Sequence, residues 1–171
     1  MIELGTEDIV PESKPNDFAI RGRSIRGDVE RGYSDNRQPA TAAQFTEATD
    51  AVLNVLGVHA VRWEQYTTSW NDGEPCTFNV HELAVRFSPL ENEDDARGDM
   101  EDGFIESWNI EYSREDGEVS ELSDSAFEEL ERAMKEWDKL YKDEVCRQNF
   151  GESAQVTATL EGFSVDSYDH D

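Results

Sequence analysis

The 171 residues predict an α+β fold in which an antiparallel sheet of about four strands packs against one shorter and one long amphipathic helix, behind an irregular N-terminal arm. Three observations carry this prediction. Residues 58–87 set two β-rich runs around Asn71-Asp72-Gly73, residue types that tolerate positive φ at hairpin turns. Residues 104–112 alternate like a strand. Residues 123–150 place Phe127, Leu130, Met134, Trp137 and Tyr141 three and four apart, the stripe of an amphipathic helix.

Residues 1–38 mix Pro, Gly, Ser and Asn with charges and hold six of the fifteen basic residues. They show no regular periodicity and read as a flexible or wrapping arm ahead of a single domain at 39–165. From Thr41 the pattern turns helical: Phe45, Val52 and Leu56 share a face with Ala48 between them, Thr41 can cap the start, and Gly57 can stop the end. In the hairpin that follows, a turn centred near Asp72 sets Tyr66 against Phe78, Trp63 against His81, Val61 against Leu83 and Arg62 against Glu82. Trp70 stands beside that turn with no packing role assigned by the pattern. The third strand, 104–112, buries Phe104, Glu106, Trp108, Ile110 and Tyr112 on one face. After the turn signal Glu115-Asp116-Gly117, residues 118–122 add a short edge strand. The long helix runs from a cap at Ser123 or Ser125 to a stop at Gly151, and 153–165 closes the sheet as one last strand before an acidic tail at 166–171.

The net charge is −25, from 40 acidic and 15 basic side chains. A charge of this size repels nucleic acid and anionic membrane surfaces and attracts basic partners from a distance, so direct nucleic-acid or membrane binding is not expected. Its distribution is uneven: residues 91–126 carry −12, nearly half the excess. Along the long helix, Glu128 with Arg132, Glu131 with Lys135, Asp138 with Lys142 and Asp143 with Arg147 stand at i,i+4 spacing and compensate one another. The stretch 91–104, in contrast, holds seven acids and one arginine. Glu91, Glu93, Asp94, Asp95, Asp99, Glu101 and Asp102, together with Trp70, are therefore the candidate partner-binding residues. This stretch lacks the ligand order of an EF-hand loop. It reads either as a solvated loop or as a surface that stands in for a phosphate backbone, which in duplex DNA offers one charge per roughly 1.7 Å of axis.

Catalytic constellations are thin. No G-x-S-x-G, H-E-x-x-H, G-x-x-x-x-G-K-[ST] or G-x-G-x-x-G occurs, and only His59, His81 and His170 offer an imidazole. Cys76 and His81 are five apart on one strand, which points them to opposite faces. No catalytic residue, metal site or cofactor is expected. Cys76 and Cys146 form no C-x-x-C pair and read as free thiols. The chain opens without the basic and apolar regions of a signal peptide, and no run of about 18 apolar residues occurs, so a soluble intracellular protein is expected.

Trp63, Gln65, Tyr66 and Thr67, then Asn71, Asp72, Gly73, Pro75, Cys76, Phe78 and Val80, resemble a pattern, W-x-Q-Y-T-x-x-x-N-D-G-x-P-C-x-F-x-V, of uncharacterised proteins from bacteriophages and from bacteria carrying phage genes. The resemblance covers 18 residues and brings no activity with it. It implies a phage context and a place in the host-cell cytoplasm, where acidic proteins that act on host machinery have precedent by composition. The expected function is a non-enzymatic acidic binding protein that engages or inhibits a basic, nucleic-acid-binding host protein such as a defence or transcription enzyme. The alternatives are a virion or assembly protein with a sheet and helix interface, and an enzyme using the hairpin face of Trp63, Gln65, Asn79 and His81.

Overall fold

A computed structural model describes residues 37–69, 73, 75–89, 103–120 and 122–169, with the backbone of two short strands at 19–20 and 23–24. The chain divides into two units, Met1–Asn36 and Arg37–Asp171. In the first unit β1 (Ala19–Ile20) and β2 (Arg23–Ser24) pair antiparallel. The second unit is α+β. No helix among the described residues is long and apolar enough to cross a membrane.

The second unit begins with α1 (Ala42–Leu53), capped by Thr41. The Thr41 hydroxyl accepts from the Gln44 amide at 3.1 Å, and the Gln44 side chain accepts from the Thr41 amide at 3.0 Å, a reciprocal capping box. Phe45, Thr49, Val52 and Leu53 form its buried stripe. The helix ends before Leu56, which the chain leaves exposed while Val55 turns inward.

Among the described residues six strands make the sheet, all paired antiparallel. The central strand is β3 (Ala60–Thr67), flanked on one side by β7 (Ala154–Thr159) and β8 (Gly162–Ser167). Its other side pairs first with β4 (Phe78–Val80) near the turn and then with β5 (Ala84–Arg86), which carries the outer strand β6 (Phe104–Glu106). The hairpin is present, but its register is one residue off the expected one: Thr67 opposes Phe78 and Tyr66 opposes Asn79. Nearer the base, Val61 opposes Val85 and Arg62 opposes Ala84. Between the two registers the second strand carries one extra residue at Glu82 and Leu83, a bulge that counting from the turn cannot reveal. Tyr66 and Phe78 consequently lie on opposite faces.

Residues 104–112 do not form one strand. β6 ends at Glu106, a 3-10 turn spans Ser107–Asn109, and α2 covers Ile110–Glu115. The cause lies in the neighbour: β5 begins at Ala84, directly after the bulge, so pairing stops once the Ser107 amide has reached the Leu83 carbonyl at 2.9 Å. Without a strand to copy, the chain coils. Ile110 and Ser113, three apart, face the core, whereas Trp108 and Tyr112 face solvent. Residues 118–120, expected in an edge strand, likewise form a turn. Gly117 adopts φ +80°, the Glu118 amide returns to the Ser113 carbonyl, and Val119 and Leu122 tuck beneath the turn.

The long helix is two helices, α3 (Asp124–Lys139), capped by Ser123, and α4 (Asp143–Phe150). At Leu140 the backbone turns extended, and Tyr141 bridges Pro39, with the Ala40 amide donating to the Tyr141 carbonyl at 2.8 Å. Lys142, buried, donates to the Trp137 carbonyl at 3.3 Å and holds its ammonium 4.0 Å from that indole's centroid. Burial pulls this lysine's pKa below its ordinary value, against the upward pull of Asp138. The closing segment is also two strands, β7 and β8, joined through Leu160 and Glu161. β8 continues through Ser167, into residues the sequence assigns to the tail.

One face of the sheet, with Val61, Trp63, Val85 and Val156, carries the helices. Its centre is an aromatic cluster: the Trp63 ring lies 5.7 Å from Phe45, 5.8 Å from Trp137 and 5.6 Å from Phe150. The Trp137 indole donates to the Thr49 hydroxyl at 3.2 Å, so this ring is buried without losing its hydrogen bond.

Candidate functional site

The hairpin residues Trp63, Gln65, Asn79 and His81 are not brought together. Alternation along β3 puts Trp63 and Gln65 in the core and leaves Asn79 and His81 on the other face. Gln65 is wholly buried, and each end of its amide is used. Its oxygen accepts from the Trp63 indole at 3.1 Å, and its nitrogen donates to the Cys146 carbonyl at 3.1 Å and the Gly151 carbonyl at 2.5 Å. The W-x-Q spacing thus ties the central strand to the end of α4. Cys146, on that helix, is buried, and burial pushes its thiol up to about 12. Cys76 is exposed ahead of β4.

The second face of the sheet sets polar side chains around a small buried cluster of Ala60, Ala84 and Phe104. Arg62, fully buried, donates from Nε to the Thr157 hydroxyl at 3.1 Å and lies 3.9 Å over the Phe104 ring. The expected partner, Glu82, does not oppose it. A pocket of ≈ 270 Å³ opens on this face, lined by Arg62, Glu64, His81, Glu82, Ala84 and Glu106 among others. Beside it the His81 ring stacks on Tyr66 at 4.2 Å, and Tyr66 stacks on Tyr168 at 5.6 Å. Burial raises both phenols above their ordinary range; the charge of Glu64 adds to Tyr66, and a hydrogen bond to Glu64 adds to Tyr168. Among the described residues no three His, Cys, Asp or Glu side chains converge as a metal ion would require.

The candidate partner-binding residues Trp70, Glu91, Glu93, Asp94, Asp95, Asp99, Glu101 and Asp102 lie outside the described residues. Both ends of the acidic connection are described. Arg86 opposes Phe104 across β5 and β6, so the segment between them leaves and rejoins the sheet at adjacent positions on its outer strand pair. Arg86 also anchors the departing chain: its Nε donates to the Ser88 hydroxyl at 3.1 Å and a terminal nitrogen donates to the Pro89 carbonyl at 3.3 Å. No protein family, curated protein or solved structure matches this chain.

Trp108 and Tyr112, expected in the core from the alternation of 104–112, lie at the surface instead. They are 66% and 68% exposed. The signal that separates them is the spacing of Ile110 and Ser113, which fits a helical turn as well as alternation fits a strand.

Two measurements check the core of this description. Gln65→Leu strands the Trp63 indole and the carbonyls at the end of α4, and is expected to cost about 3 kcal/mol in urea unfolding; a loss below about 0.5 kcal/mol would mean those groups find other partners. For the thiols, a disulfide reagent at about pH 8 should titrate Cys76 in the native protein and Cys146 only after denaturation. With the Cys146 pKa raised from 9.0 to about 12, the folded state keeps a proton that the unfolded chain releases across that window. The contribution of this thiol to stability is complete below pH 9.0 and is lost as pH rises toward about 12. The stability difference between the native sequence and Cys146→Ala should shrink accordingly; a constant difference contradicts the assignment.

Proposed function

We propose that the protein is a non-enzymatic acidic binding protein, phage-encoded and acting in the host-cell cytoplasm, that engages a basic, nucleic-acid-binding host protein. The observation that carries this reading is the acid-rich connection between β5 and β6. Seven carboxylates and one arginine between Glu91 and Phe104 join two paired strands at the margin of the sheet. The described ends of the connection are held by the pairing of Arg86 with Phe104 and by the hydrogen bonds of Arg86 to Ser88 and Pro89. Clustered carboxylates offer a basic surface what a phosphate backbone offers, and the partner would be inhibited by occupation of its nucleic-acid groove.

A second reading, a virion or assembly protein, draws support from β8. This strand ends the sheet among the described residues and exposes Phe163 and Val165. Edge strands with apolar side chains suit pairing with another chain.

The test is affinity capture from infected-cell lysate at low and high salt, with and without competing duplex DNA. The proposal expects a basic partner that is released by salt or by DNA, and that is lost on replacing Asp94, Asp95, Asp99 and Asp102 with Asn and Glu101 with Gln. A partner set indifferent to those five substitutions overturns it, and abundance in purified particles favours the second reading.

A further inference from the structure

Trp108 and Tyr112 are the most exposed aromatic rings among the described residues. They stand four residues apart, one in the 3-10 turn Ser107–Asn109 and the other in α2. Their neighbours Ile110 and Ser113 already supply the inward face of this element, so folding does not call for either ring. Exposed aromatic residues grouped on one element mark contact surfaces more often than lone exposed apolar side chains do.

The charge around them is one-sided. Residues 103–118 hold Glu106, Glu111, Glu115, Asp116 and Glu118, and their only base is Arg114. That arginine is occupied internally: it is bonded to Asp124 at the start of α3 and lies 4.8 Å from the Phe127 ring. Among the described residues no Lys or Arg lies over Trp108 or Tyr112, and none forms an ion pair with Glu111, Glu115, Asp116 or Glu118. Trp108, Tyr112, Glu111 and Glu115 are all exposed, at helical spacing on one short stretch of chain, and no described cation covers them.

We infer that Trp108 and Tyr112, with Glu111 and Glu115, form a docking surface for an arginine-rich segment of a partner protein. The guanidinium is planar and weakly hydrated, so it stacks on an aromatic face while its edge meets carboxylates; the compact, strongly hydrated ammonium of lysine does this less well. A second copy of the chain is the wrong occupant, because each copy carries −25. Nucleic acid is repelled for the same reason. This inference rests on the proposed engagement of a basic partner, and adds a chemical preference at a surface outside 91–102.

The test titrates labelled oligo-arginine and oligo-lysine peptides of equal length by fluorescence anisotropy against four full-length forms. These are the native sequence, Trp108→Ala with Tyr112→Ala, the acid-neutralised form described above, and Leu160→Ala as an exposed apolar control. The native protein should prefer oligo-arginine. The double aromatic variant should lose about fivefold to tenfold in oligo-arginine affinity and little in oligo-lysine affinity, which removes the preference. Trp108→Phe should keep it, Leu160→Ala should change nothing, and the acid-neutralised form should weaken both peptides alike. An arginine preference that survives the double variant overturns the docking surface and leaves the acidic-partner reading standing. Absence of binding by either peptide to the native protein at low salt overturns that reading as well. Sedimentation showing a native dimer that the double variant disperses assigns the surface to a second copy and overturns the inference.

Discussion

The buried amide of Gln65 is the constraint on which the rest of the structure depends. It sits on the central strand, it is sealed from water, and its hydrogen bonds join β3 to the end of α4 through Cys146 and Gly151 while holding the Trp63 indole. A buried amide is worth little net when satisfied and costs much when stranded, so it acts on specificity. Slipping β3 by one residue would turn Gln65 away from α4 and swing Arg62 into the aromatic cluster. Both changes strand polar groups, and the alternative register is penalised twice.

The same strand carries the opposite solution on its other face. Arg62 is as buried as Gln65, but it rests on a hydroxyl and the face of Phe104, with its stem covered by the sheet. Lys142 repeats the device on the helical side, with an indole face beneath its ammonium and a carbonyl beside it. In a chain with such an excess of acids, three bases among the described residues lie in the interior, Arg62, Arg86 and Lys142, each with an aromatic ring within reach. These cations support the scaffold rather than offset the acids on the described surface.

Much of the fold is legible in the sequence because it is written in local chemistry. Thr41 and Gln44 announce the start of α1, Ser123 announces α3, and the β-rich runs around Asn71-Asp72-Gly73 announce a hairpin. The features that escape are those set by partners distant in sequence. The bulge at Glu82 and Leu83 shifts the register without a glycine or proline to mark it. Residues 140–142 contain neither, and the break between α3 and α4 follows from Tyr141 bridging Pro39 and from Lys142 reaching back to Trp137. In 104–112 the alternation of Phe104, Trp108, Ile110 and Tyr112 is compatible with two periods, and the end of β5 decides between them. Of the candidate site, the sequence identifies the acidic residues and the structure describes only their attachment. The aromatic pair Trp108 and Tyr112 was legible as aromatic but not as exposed, since exposure depends on which period wins.

The attachment of the acidic connection bears on how such a protein can change over time. Its two ends leave neighbouring positions on β5 and β6, so the connection spans a short gap whatever its length. Lengthening a connection raises the entropy of closure only logarithmically, roughly 0.6 kcal/mol for each doubling. A lineage carrying this fold can therefore change the length of the segment at a small entropic cost and, under the function proposed above, follow a binding partner whose own surface is drifting.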